Sequence, residues 1–156
     1  MGTRAMTRIF ACCLAILLLA AASAAHALEL RGAATQCVLP AGFAIADGND
    51  VAPEIKGFLG QFSGYWGDKL HHTLIVSEIA ADGAATAYYA HDQFGPWELK
   101  APWCGRVPAK IESGVLTLTV AGQRAVARYR LADPDNLQAT YERGGRTTLG
   151  VFKRDR

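Results

Sequence analysis

The chain has 156 residues, with 16 Lys and Arg against 14 Asp and Glu and a formal net charge of +2 at pH 7. That length suits one domain built on a single core. With residues 1–27 set aside as a leader, 14 basic residues face 14 acidic ones, a balance that leaves no electrostatic footprint for nucleic acid.

The leader reading comes from the first residues themselves. Arg4 and Arg8 form a positive start, Ile9 to Ala22 is an apolar run, and Ala25-His26-Ala27 has the small-x-small form of a cleavage site. The run is shorter than the roughly 20 residues that cross a bilayer. The segment is read as a cleaved secretory signal. The mature chain then begins at Leu28, is periplasmic or secreted, and has no stable membrane insertion; the other reading is an uncleaved anchor. Cys12 and Cys13 lie at the start of the apolar run, not at its end, which argues against a lipoprotein.

Two cysteines remain, Cys37 and Cys104, and an exported chain with such a pair predicts a disulfide. Loop closure between them is worth roughly 4 kcal/mol in the chain-entropy treatment. Neither lies in a Cys-x-x-Cys, so a metal or redox pair is the weaker reading.

Residues 28–56 read as an arm with a short helix. Gly32, Pro40, Gly42, Gly48, Asn49 and Asp50 interrupt any period up to residue 50. Asp50 as cap and Pro53 in the first turn predict a helix over Val51 to Leu59, and Ile55, Phe58, Leu59 and Phe62 give it one apolar face. The helix is expected to plug or flank the entrance of a sheet.

Residues 57–156 read as the β-domain. Leu70 to Ile79 and Ala84 to His91 are strands around the Asp82-Gly83 turn. Gln93 to Gly105, with Pro96, Trp97, Pro102 and Trp103, is expected to be irregular. Four further strands follow, Val107 to Glu112, Val115 to Ala121, Arg124 to Leu131 and Leu137 to Arg143, and Gly144-Gly145 turns into Arg146 to Lys153. Leu137, Ala139 and Tyr141 alternate with Gln138, Thr140 and Glu142, as in an antiparallel sheet with one buried face. About eight strands joined by short turns predict an all-β, up-and-down antiparallel barrel, which removes exposed edges; a β-sandwich is the alternative.

Gly64-Tyr65-Trp66 after a short helix and before a β-meander resembles the calycin class: lipocalins, fatty-acid-binding proteins and avidins. The stretch from Phe58 to Ala90 is similar to small secreted bacterial lipocalin-like domains of unsettled activity. The resemblance implies that Trp66 closes the barrel floor, with a basic residue from the last strands, Arg143, Arg146 or Arg154, packed over it. The late tryptophans that avidins use for biotin are absent, the last being Trp103.

Several residues invite a chemical reading beside a plainer one. In a two-residue turn at Asp82-Gly83, His72 lies diagonal to His91. In a three-residue loop with Gly83 left-handed, His72 lies opposite Asp92. Either way His72, His91 and Asp92 form a candidate transition-metal set. The plainer reading is a solvated rim, since adjacent His71 and His72 point to opposite faces. Glu78 is either an inward polar anchor or an outward residue paired across the strands. Tyr65, Trp66, Tyr89 and Trp97 either line a ligand pocket, with Ala125, Ala127, Ala139 and Gly150 leaving room, or fill the core. The run Arg143, Arg146, Lys153, Arg154 and Arg156 either meets anionic polymers or is a solvated end. No Gly-x-Ser-x-Gly or phosphate loop occurs. These residues predict a binding protein for a small apolar ligand or an envelope protein partner, without cofactor. A filled barrel acting through its surface comes second, and an enzyme using the His72, His91 and Asp92 rim third.

Overall fold

The computed structural model describes residues 28–67 and 69–156; the expected leader and its cleavage site lie outside these. Eight antiparallel strands follow one another in chain order and close into a barrel, β1 pairing with both β2 and β8. They are β1 (Gly60–Trp66), β2 (Leu70–Ile79), β3 (Ala84–His91), β4 (Trp103–Glu112), β5 (Val115–Val120), β6 (Ala125–Asp133), β7 (Asn136–Arg143) and β8 (Arg146–Arg154). This is the up-and-down barrel that the alternating strands predict, and no sandwich. β4 begins earlier than expected because Trp103 and Cys104 already pair with His91 and Ala90.

Alternation sets what the barrel holds. Phe62 and Trp66 of β1, Leu70, His72 and Leu74 of β2, Tyr89 of β3, Leu116 and Leu118 of β5, Tyr129 of β6, Tyr141 of β7 and Phe152 of β8 are all buried. The small residues of the last strands do not leave the middle open. A Cβ on Gly150 would stand 2.7 Å from Cε3 of Trp66, so the indole occupies the space that the missing side chain frees.

β2 carries a second lesson in parity. Its register to β3 slips between Val76 and Glu78. The extra residue, Ser77, is a bulge, and a bulge turns every later side chain to the opposite face. Ile79 is therefore buried and Glu78 exposed, so of its two readings the outward one holds and the inward anchor does not.

The outer face of β2 and β3 is covered by the arm. Ala33, Ala34 and Cys37 pack on Ile75, Tyr88 and Ala90, with Phe43 edge-on to Tyr88 at 5.4 Å between ring centroids. Gln36 donates to the His91 carbonyl, and the Ala46 amide donates to the Ser77 carbonyl. The Cys37–Cys104 bridge forms as predicted, with 5.2 Å between Cα atoms.

The two ends of the barrel differ. One end holds α1 (Pro53–Lys56) and the buried Phe58 and Leu59. The helix is shorter than predicted: Ala52 sits at its N-cap and no side chain caps it, so Asp50 does not play that part. Arg154 locks this end, donating to the carbonyls of Gly57, Leu59 and Pro134 and lying 4.5 Å over the Phe62 ring. Trp66 is at the other end, paired with Gly150. The expectation of a basic residue over the Gly-x-Trp tryptophan is thus corrected: Arg154 covers Phe62, four residues earlier on β1.

The arm gives the fold its first test. Reduction, or Cys37→Ser, is expected to lower the unfolding free energy by roughly 4 kcal/mol. Urea midpoints with and without reductant measure it, and coincident midpoints would contradict the staple.

Candidate functional site

Trp66, Trp97 and Trp103 mark one end of the barrel, where residues 92–102 cross from β3 to β4. Phe94 and Leu99 exchange backbone hydrogen bonds of 3.0 and 3.2 Å, which folds the crossing into a small loop. Glu98 takes a left-handed conformation, φ 59°. The loop lays Trp97 flat on Tyr141, with ring centroids 5.2 Å apart and planes 17° from parallel. Arg143 fastens it from β7, donating to the Trp97 carbonyl at 2.8 Å.

Beneath this lid lies a layer of buried polar aromatics. The Trp66 indole stands between Tyr141 at 5.4 Å, Phe152 at 4.9 Å and the His72 ring at 5.6 Å. His72 Nδ1 is 2.6 Å from the Ala90 carbonyl and Nε2 is 2.7 Å from the Tyr129 hydroxyl. A carbonyl only accepts, so Nδ1 carries the proton; a neutral imidazole then accepts at Nε2 and Tyr129 donates. Burial holds His72 neutral, lowering its pKa to about 3 against the pull of the Ala90 carbonyl. Burial also pushes the Tyr129 and Tyr89 hydroxyls well above the usual phenol range. Two groups of this layer, the Trp66 indole N–H and the Tyr89 hydroxyl, are buried and make no hydrogen bond of good geometry, although the indole N–H lies close enough to the hydroxyl to favour its ionised form.

Two clefts flank the lid. The first, about 420 Å³, lies between Trp97 and the β7–β8 hairpin, with Tyr141 as its floor and Arg143, Arg146 and Thr148 along its side. Burial raises the Tyr141 hydroxyl to about 12, and the Arg143 charge works against that rise. The second, about 380 Å³, lies between Leu99 and β4, with His91, Trp103, Val107, Val120 and Gln123. Tyr141 joins the two, since its hydroxyl donates to Oε1 of Gln123.

The residues singled out in the sequence are distributed unevenly. Trp66 and Tyr89 meet His72 in the buried layer, Trp97 forms the lid, and Tyr65 and Glu78 are exposed outside the barrel. Tyr65 lies against His71 at 5.1 Å. The bulge at Ser77 places His72 directly opposite His91, neither diagonal to it nor opposite Asp92. The candidate metal set is not assembled: both His72 nitrogens are bonded, His91 Nδ1–H donates to the Asp92 carbonyl, and the Asp92 carboxylate turns outward to His71 at 3.1 Å. Among the described residues no three His, Cys, Asp or Glu side chains converge. The basic run also divides, Arg143 and Arg146 standing at the lid end and Arg154 and Arg156 at the other. Sequence reasoning missed Tyr129, Tyr141 and Gln123. Alternation marked the two tyrosines as core, and nothing in their spacing signals that they link His72 to the clefts.

No protein-family model and no curated protein matches this chain. Among solved structures, a de novo designed fluorescence-activating β-barrel is similar at 15% identity and a TM-score of 0.48, over 67% of this chain and 99% of the design. Closure of the barrel rests on its own strand pairings and not on that likeness.

Two outcomes follow from the buried layer. An unfolded histidine titrates near 6.5, whereas folded His72 stays neutral down to about 3. The unfolded state therefore binds more protons across that window, and stability is lost as pH drops through it, by up to about 1.4 kcal/mol per unit. His91, lowered chiefly by burial, adds to the same acid limb. Urea midpoints of His72→Gln are expected to fall less steeply with acid than those of wild type; parallel acid limbs would contradict the assignment. Separately, Tyr89→Phe removes a buried hydroxyl that makes no hydrogen bond of good geometry and is expected to raise the unfolding free energy by about 1 kcal/mol. A comparable loss would mean that the hydroxyl is bonded in the fold.

Proposed function

We propose that this is an exported binding protein whose ligand enters at the tryptophan-lined end of the barrel. The observation that carries the reading is the adjacent pair of polar groups, the Trp66 indole N–H and the Tyr89 hydroxyl, which make no hydrogen bond of good geometry and are buried beneath a lid with a cleft on either side. A buried polar group without a partner costs stability, and such groups persist where function needs them. The remainder of the interior is filled with Phe62, Leu74, Leu116, Leu118 and Phe152, so the ligand is small and sits near the rim. Beyond Asp92 the side-chain bond that holds the lid among the described residues comes from Arg143, and its release would bring a ligand over Tyr141 toward Trp66.

Export is part of the same proposal. It is supported by the leader-like sequence and by the disulfide, which suits an oxidising compartment. Kinship with lipocalin-like domains is supported by the short helix, the eight-strand meander and an arginine across one end. The role proposed is binding and not catalysis, because both nitrogens of the most buried histidine are engaged in holding the fold.

A filled barrel acting through its outer face is the second reading. It is favoured by Leu149, Val151 and Tyr65, which are 69%, 61% and 49% exposed on adjoining strands. Native mass spectrometry of the wild-type chain, purified without denaturation, decides between the two. A small-molecule adduct that is lost in Trp97→Ala is expected; a bare chain that is retained as a complex with another protein would favour the outer face.

A further inference from the structure

The β7–β8 hairpin sets two like charges against each other. Arg143 and Arg146 are directly paired residues on either side of the Gly144-Gly145 turn. Like charges directly opposite on a sheet destabilise it. Elsewhere on the barrel Arg128 is paired with Glu142 and Lys110 with Glu112, and at the far end Arg154 and Arg156 share Asp135. Among the described residues neither Arg143 nor Arg146 has a carboxylate within salt-bridge reach, although Glu98 lies on the far side of the same cleft. Arg143 spends one N–H on the Trp97 carbonyl, and its other guanidinium donors have no partner among the described residues. The two arginines border the cleft of about 420 Å³ whose floor is the Tyr141 ring under Trp97.

We infer that this cleft binds a small oxyanion carried on a flat apolar body, the anion held by Arg143 and Arg146 and the body resting on Tyr141 and Trp97. The inference rests on the ligand-binding reading above and names the class of ligand. An oxyanion between the guanidiniums relieves their mutual repulsion and accepts the free N–H groups, which are matched in geometry to carboxylate, sulfonate or phosphate. The side of the Trp97–Tyr141 stack that borders the cleft, chiefly Trp97, supplies an apolar surface that a bare inorganic ion does not use.

The test compares two probes with the same ring skeleton. 8-Anilinonaphthalene-1-sulfonate carries the anion and N-phenyl-1-naphthylamine lacks it, and both brighten on leaving water. The sulfonate is expected to bind at least about tenfold more tightly, with an affinity that falls as salt is added. R143Q and R146Q are each expected to erase most of that preference, and R146Q, which keeps the Arg143–Trp97 bond of the lid, is expected to leave the neutral probe's affinity within about twofold. R146Q is the safer variant, since Arg146 is exposed and makes no hydrogen bond among the described residues. Displacement by 1-naphthoate and by 1-naphthyl phosphate distinguishes a carboxylate from a phosphate ester as the preferred source of the anion, and either one displacing the probe supports the inference. Equal displacement by inorganic phosphate would overturn the role of the aromatic surface. Equal affinity for the two probes, or a preference that survives R146Q, would overturn the anion and leave a binder of neutral ligands. Binding of neither probe would overturn this inference and the ligand-binding reading together.

Discussion

Everything at the tryptophan-lined end depends on how Trp66 fits against Gly150. The barrel closes where β1 meets β8, and there the indole takes the volume a side chain at Gly150 would need. Gly64, two residues earlier, allows the same close approach on the other side: a Cβ there would stand 2.1 Å from the Val151 carbonyl oxygen. With the indole in place, His72, Tyr141 and Phe152 have a common surface to pack on. His72 is then shut away from water and survives there only as a neutral group bonded at both nitrogens. One packing choice thus creates an apolar core with hydroxyl, imidazole and indole groups inside it.

The barrel ends divide the work between stability and recognition. At one end the Arg154 guanidinium is tied to three backbone carbonyls and a nearby carboxylate. Such a fastened guanidinium has little left to offer a ligand. The opposite end has the reverse character. Its crossing loop is long for a hairpin connection, it is held by Arg143, and it covers groups whose hydrogen-bonding capacity is unused. Stability is spread along the wall and at the closed end, and the site proposed here is drawn from what the wall leaves unfinished. The disulfide ties the arm to Cys104 of β4, just beyond the lid, and Gln36 bonds the His91 carbonyl just before it, so the arm fixes the wall at both ends of the crossing.

The barrel was legible because alternation and turn residues agree along most of the meander. Leu137, Ala139 and Tyr141 do face inward, and Gly144-Gly145 does turn the chain. The bridge was legible from two cysteines and a leader-like start. The site was only partly so. Parity along β2 is local information until Ser77 adds a residue, and nothing around Ser77 announces the bulge that exposes Glu78 and aligns His72 with His91. The metal reading of His72, His91 and Asp92 failed for a related reason: spacing brings side chains near one another but does not reveal that a backbone carbonyl and Tyr129 already claim both His72 nitrogens. That Arg154 covers Phe62 and not Trp66 depends on which end of β1 it reaches, which the residues alone do not reveal.

The central claim is that ligand meets this protein at the lid, in the cleft that Trp97, Tyr141, Arg143 and Arg146 line. Backbone and indole N–H chemical-shift mapping during a titration with 8-anilinonaphthalene-1-sulfonate tests it most directly, because the three tryptophans lie at that end. The account predicts that the Trp97 indole and the amides of Tyr141, Arg143 and Arg146 move first and furthest. Shifts confined to Val115, Leu149 and Val151 on the outer wall, with the Trp97 indole unmoved, would contradict it.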